Sequence, residues 1–252
     1  MKGSRYYLIG LLALCSGIYL NAHVSSETPT ERSASQADKV RVSKVAIRTN
    51  VSGLTVASIQ ETRADTIRLT LRNDYSKAIT AFSIEFGLHH SRIDSIDTDE
   101  VIQPGSTLEH DIAVPVLQTA SPESKSVIAV AAVVFEDRLG EGNAQHIHEI
   151  LDYRLGQKQQ IARIIRVLKD CVKADSSRGA LNLRAAQTRI SLLPDTSDGA
   201  SFDLIAGLRD ERQIALEKID ELEVIAREKG EQTALTVLER FRALYDRKLR
   251  KL

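Results

Sequence analysis

Tryptophan is absent, and only six tyrosines and five phenylalanines occur in 252 residues. Any core must therefore rest on Val, Ile, Leu and Ala. Cysteine is scarce too: the two present are Cys15 and Cys171. Cys15 falls inside the N-terminal apolar segment, so a processed chain would keep Cys171 alone. That excludes a disulfide framework and a cysteine-based zinc site. Cys171, beside Val172 at apolar helix positions, reads as a packing residue. Net charge is missing as well, with 34 basic residues against 34 acidic. Without a basic excess or interleaved aromatics, the chain lacks the footprint of nucleic-acid binding. There is no Gly-x-Ser-x-Gly, no Gly-x-x-x-x-Gly-Lys, no His-Glu-x-x-His and no dinucleotide fingerprint. The sequence assigns no catalytic residue, no cofactor and no metal ligand.

What is present starts with an address. Lys2 and Arg5 precede a run of mainly apolar residues from Tyr6 to Leu20. A basic start before such a run is the pattern of a secretory signal, and the run is short for a membrane span. Residues 1–22 are expected to be a signal peptide cleaved after Ala22, or an uncleaved signal anchor. Leu12-Ala13-Leu14-Cys15 departs from a lipoprotein box, because the residue before the cysteine is large. Residues 23–39 carry Ser, Thr and Glu without apolar periodicity and read as a flexible linker. The protein is expected to be periplasmic, secreted or anchored to the inner membrane.

Residues 40–142 read as strands. Val40 and Val42, then Val45 and Ile47, give two short alternations with a bulge between them, and Leu54 to Ile59 is a second candidate strand. Ile67, Leu69 and Leu71 alternate with Arg68, Thr70 and Arg72, a strand with one wet face. Residues 73–77 supply a turn, and Phe82, Ile84 and Phe86 share one face of the next strand. Pro104-Gly105 launches Leu108, His110, Ile112 and Val114, which Pro115 ends. After a loop at residues 121–124, residues 127–137 form the longest apolar run past the N-terminus. With apolar residues at every position from Val127 to Phe135, that strand is expected to be buried on both faces. Six or seven short strands without an intervening helix predict an antiparallel sandwich.

The run Leu69-Thr70-Leu71-Arg72-Asn73-Asp74-Tyr75-Ser76-Lys77-Ala78-Ile79, followed by Pro104-Gly105, resembles the immunoglobulin-like β-domains of exported bacterial proteins, the FxLyD-like group among them. The ending Val133-Val134-Phe135-Glu136-Asp137 with Gly140 and Gly142 is similar to exported proteins in which such a domain passes into helices. The resemblance covers roughly residues 50–165 and lacks the motif that names the group. It implies a binding or structural module with no catalytic residues.

Residues 143–252 change period. Ile147, Ile150, Leu151, Leu155, Ile161, Ala162, Ile165, Leu168 and Val172 share a helical face, with Arg154, Lys158, Arg163, Arg166 and Lys169 as its charged side. A shorter pattern follows at 180–192, then two more helices at 201–229 and 233–252, broken by Pro194 to Gly199 and by Gly230. Ile205, Leu208, Ala215, Ile219, Leu222 and Ala226 recur every three and four residues, interrupted at Arg212. That is a heptad seam with coiled-coil character, used within the chain, for self-association or for a partner helix. The expected fold class is α+β and multidomain: export segment, immunoglobulin-like antiparallel β-sandwich, then a C-terminal helical hairpin or bundle.

Three functional readings follow. The first is an exported or membrane-tethered interaction or scaffold protein without enzymatic activity, with a protein partner or a second copy at its C-terminal helices. The second is a metal-dependent envelope hydrolase, which needs His89, His90 or His110 to converge with the acidic run Asp94, Asp97, Asp99 and Glu100; His146-x-His148 is a further pair that only folding could gather to such a site. The third is a membrane-surface binder. Residues 154–184 carry eight basic and two acidic residues, whereas 38–153 carry eleven basic and seventeen acidic. Six basic residues against Asp246 in 240–252 extend that option. Glu136 and Asp137, neighbours on opposite sides of a strand end, read as capping the turn into the helices.

Overall fold

The computed structural model describes residues 45–63, 66–86, 89–98, 100–113, 126–174, 182–196 and 199–252. The export segment, the linker, Val40, Val42, Pro115 and the loop at 121–124 lie outside them. So do the side chains of His89, Asp97, Cys171 and Val172, together with the whole of Asp99.

The chain is mixed α+β. One sheet joins β1 (Val45–Thr49), β7 (Ser126–Phe135), β4 (Ile79–Phe86) and β5 (His89–Asp94) in that order, with the short β8 (Gly140–Gly142) also on β7. The other joins β2 (Leu54–Arg63), β3 (Thr66–Asn73) and β6 (Thr107–Ala113). Leu54, Leu69, Leu71 and Ile112 from the second sheet share an apolar cluster with Phe82, Ile84, Ile128, Val130 and Val133 from the first. Asn73 holds the β3–β4 turn: its amide donates to the carbonyls of Lys77 and Ile102, and its oxygen accepts from the Tyr75 amide. Asp137 holds the turn after β7, accepting from Lys77 Nζ at 2.6 Å and from the Leu139 amide at 3.1 Å.

One expectation fails here. The strands are not all antiparallel, because β1 runs parallel to β7. The alternation pattern of a strand reports which face is apolar, and carries no information about the direction of its neighbour.

The long apolar run is buried on both faces from Ile128 to Phe135, and a bulge divides it. Ser83 pairs with Ala132 but Ile84 with Val130, which leaves Ala131 as the extra residue. An extra residue shifts the parity of everything beyond it. Ile128 and Val130 before the bulge therefore point into the same cluster as Val133 and Phe135 after it, and simple alternation across the run does not hold. The bulged Ala131 carbonyl accepts from the Asn143 amide at 2.8 Å. That bond fixes the start of the first long helix.

That helix, α2 (Ala144–Ala174), lies across the second face of β7, where Val134 and Ala81 meet Ile150. It also forms the bundle interior with α3 (Leu183–Ser191), α4 (Phe202–Lys229) and α5 (Glu231–Lys251). Asn182 caps α3, and Ser201 caps α4 by accepting from the Leu204 amide. Gly230, at φ 87°, ends α4 as expected of a glycine stop. The one-turn α1 (Ser95–Thr98) follows β5, and its Ile96 joins the helical cluster. The described residues, all within Val40–Leu252, cluster as one compact unit.

Two helical details depart from the sequence pattern. Leu155, placed on the apolar face, is 44% exposed, while Arg154, placed on the charged face, is buried. A helix packed on one side only would show a single stripe; α2 meets the sheet on one side and helices on another, so its buried surface is wider than a stripe. Where α2 crosses α4, Gly156 and Gly207 bring the backbones together. A Cβ at Gly156 would lie 2.1 Å from the Leu204 carbonyl oxygen, and one at Gly207 would lie 2.2 Å from that of Tyr153.

Candidate functional site: a polar face between β5 and the first helix

Strand β5 is one the sequence pattern misses. Ile93 faces the apolar cluster, while His90, Arg92 and Asp94, two residues apart, turn to the other face of the strand. There they meet α2 one after another. His90 approaches Glu149, with Nε2 3.9 Å from the carboxylate. Arg92 stacks on the Tyr153 ring, its guanidinium carbon 3.4 Å from the ring centre, and lies 3.5 Å from Asp203 of α4. Asp94 receives Arg154.

The Arg154–Asp94 pair is almost dry, with side chains 9% and 2% exposed. Arg154 Nε and one terminal nitrogen donate to the two carboxylate oxygens at 2.8 and 2.9 Å. The same terminal nitrogen reaches the Thr80 carbonyl and hydroxyl oxygens, both at 3.1 Å. Thr80 is itself the extra residue of a second irregularity, between Ile79 and Ala81. Its hydroxyl also lies 3.2 Å from the Val134 and Phe135 carbonyls. Asp94 further accepts from the Ile96 amide.

At the other end of the strip, Glu85 of β4 stands directly opposite His90 of β5, so the two side chains share a face. His146 and Glu149, three residues apart in α2, come down onto them. His146 Nε2 is 2.7 Å from Glu85, and its Nδ1 is 2.8 Å from Glu149. The His90 and His146 rings are 5.3 Å apart. The Gln145 amide donates to the second Glu149 oxygen at 2.9 Å. Burial on its own would lower the basicity of His146, but the bonds to Glu149 and Glu85 outweigh it and hold the imidazole above its ordinary value. Burial likewise works to raise Glu149, yet His146 and Gln145 bring it below the usual carboxylate range. Asp203 is raised, first by burial and then by Glu149, against the pull of Arg92 and His90.

The other sequence candidates fall elsewhere. His110, on β6, sits edge-on to Phe82 with ring centres 6.1 Å apart, and does not join His90. Asp94 is committed to Arg154, so the acidic run is not a wholly solvated loop. His148 diverges from His146 and bonds back to the Ala144 carbonyl. Glu136 is exposed and pairs with nothing at the site. Of the seam, Leu208, Ala215, Ile219 and Leu222 are fully buried within the chain's own bundle, and Ile205 and Ala226 are half-buried. Arg212, its interruption, donates to the Leu193 carbonyl and to Asp195. The basic face of 154–184 is partly spent as well: Arg154 points inward and Arg163 bonds Gln160 and the Pro194 carbonyl.

Two residues of the site, Glu85 and Glu149, are absent from the sequence candidates. His146-x-x-Glu149 could have been found, since that spacing puts both side chains on one helix face. Glu85 had no such signal.

Burial holds the His110 imidazole below its ordinary 6.5, against the opposing influence of Glu100 and Asp111. The unfolded chain therefore takes up this proton first. The contribution of neutral His110 is complete above about pH 6.5 and is lost as pH falls through the lowered folded value. The difference in stability between the parent and His110→Gln, followed by denaturant titration from pH 8 to pH 5, is expected to shift against the parent as the medium acidifies. A difference independent of pH would refute the assignment.

Among the described residues no helix is long and apolar enough to cross a membrane. Compared with known proteins, the chain matches no family model, no curated protein and no solved structure.

Proposed function

We propose that this chain is an exported or membrane-tethered interaction module of the bacterial envelope, a scaffold without catalysis of its own. On this reading residues 1–22 direct export and residues 23–39 tether the folded part. An immunoglobulin-like β-sandwich over 40–142 is extended by a helical bundle over 143–252. The observation that carries the reading is the lock of Arg154 on Asp94 and Thr80. A buried ion pair adds little net stability over an apolar replacement, and its best-attested use is to fix one arrangement. A scaffold needs its two parts held at one angle, and this pair holds them there.

The side chains available to a partner are those the bundle does not use. Phe202, at the start of α4, is 81% exposed and Leu192, after α3, is 77% exposed. Single exposed apolar residues are common, so the test must be positional. A photo-crosslinking residue placed at Phe202 or Leu192 in cells is expected to trap one discrete species in the envelope fraction, whether a second copy or another protein. The same residue at the exposed Glu217 should trap none. Equal trapping at all three positions, or a chain recovered wholly from the cytoplasm, would overturn the proposal.

A further inference from the structure

We propose that His90, His146 and Glu149 bind a divalent transition-metal ion, of which zinc is the best fit. Each offers one ligand atom, and these atoms all lie within 4.8 Å of one another. Ligands of a tetrahedral zinc, at about 2.0–2.2 Å, stand roughly 3.3 Å apart. The 2.8 Å from His146 to Glu149 and the 3.9 Å from His90 to Glu149 bracket that spacing. His90 is exposed, so its side chain has room to turn toward the other two.

The surroundings are those of a metal-ligating set. His146 has a carboxylate at each ring nitrogen, whereas a neutral imidazole has one N–H and one lone pair. As an imidazolium the ring donates to both carboxylates; an ion bound at Nδ1 takes the place of that proton between the ring and Glu149, while Nε2–H goes on donating to Glu85. A histidine ligand whose other nitrogen donates to a carboxylate is the usual arrangement at zinc, and it fixes tautomer and ring orientation. Glu149 is oriented in the same way, by the Gln145 amide on its second oxygen. Glu85 and Glu149 together supply two negative charges against a dication. Two imidazoles and one carboxylate suit zinc and its transition-metal neighbours, whereas magnesium prefers oxygen ligands. Three protein ligands, with His90 open to solvent, leave the fourth position to water.

The site draws on three separate elements, β4, β5 and α2, so an ion there would also fasten the helix to the sheet. The test is equilibrium dialysis of the full chain, stripped of metal by a chelator, against zinc or magnesium, with bound metal counted by mass spectrometry. One zinc per chain is expected, with no magnesium retained at the same concentration. Glu85→Gln should weaken zinc binding about 10–100-fold, and His90→Ala by more than that. His110→Gln and His148→Gln should leave it unchanged. His90 is exposed, so its removal spares the fold, which far-ultraviolet circular dichroism checks. Substoichiometric zinc in the parent would overturn the proposal. So would full retention by His90→Ala and by the double variant His90→Ala/Glu149→Gln.

Discussion

Arg154→Ala is expected to lower the unfolding free energy by about 3–5 kcal/mol, the range for removing one partner of a buried ion pair. The substitution leaves the Asp94 carboxylate 2% exposed without its guanidinium, and strips the Thr80 carbonyl of a donor. Asp94→Ala should cost a similar amount, because it strands the guanidinium instead. The informative variant is the double replacement Arg154→Met/Asp94→Leu. An apolar pair of similar volume removes both charges from the interior and is expected to recover most of the loss. Urea titration of the parent, Arg154→Met, Asp94→Leu and the double variant closes the cycle. Losses that simply add would mean that the two residues do not act as a pair. If the pair sets the angle of α2 on the sheet, the recovered double variant should still lose the crosslink at Phe202.

Gly207→Ala is expected to destabilise by about 3 kcal/mol or more, at the upper end of overpacking costs, where propensity by itself predicts a gain. Alanine in a helix interior is favoured over glycine by about 1 kcal/mol. Here the added methyl would stand 2.2 Å from the Tyr153 carbonyl oxygen, and a backbone atom cannot rotate away as a side chain can. The helices must separate instead, which opens the cluster that holds Ile161, Ala215 and Ile219. Gly156→Ala meets the Leu204 carbonyl from the other side and should behave alike. The pair should be less than additive, since one separation accommodates both methyls. A fall in melting temperature of roughly 6–12 °C corresponds to that cost in a chain of this size. A rise at either position would show that the crossing is looser than described.

The sequence was most informative where one side chain reports on its own surroundings. Period-two runs marked β3, β4 and β6, and period-three-and-four runs marked the four long helices. The caps and stops at Ser201 and Gly230 were equally local. The double burial of residues 128–135 could be read because both parities are apolar. The parallel direction of β1 could not, and neither could the bulge at Ala131, because each depends on a neighbour remote in the chain. The seam from Ile205 to Ala226 illustrates the same boundary. Its spacing required a covering partner but did not say whether that partner is another chain; α2, α3 and α5 supply most of the cover.

The candidate site lies almost wholly on the tertiary side of that boundary. By itself the sequence determined that a β-rich segment passes into helices near residue 140, and that its core is aliphatic. Those follow from periodicity and composition, which are properties of residues a few positions apart. Only the folded chain decided that His90, Arg92 and Asp94 face α2, that Arg154 is an interior residue, and that Glu85 stands under His146. Histidine and carboxylate look the same in a sequence whether solvated or convergent. Their role is set by what lies within about 4 Å, and here those neighbours are some 60 residues away along the chain.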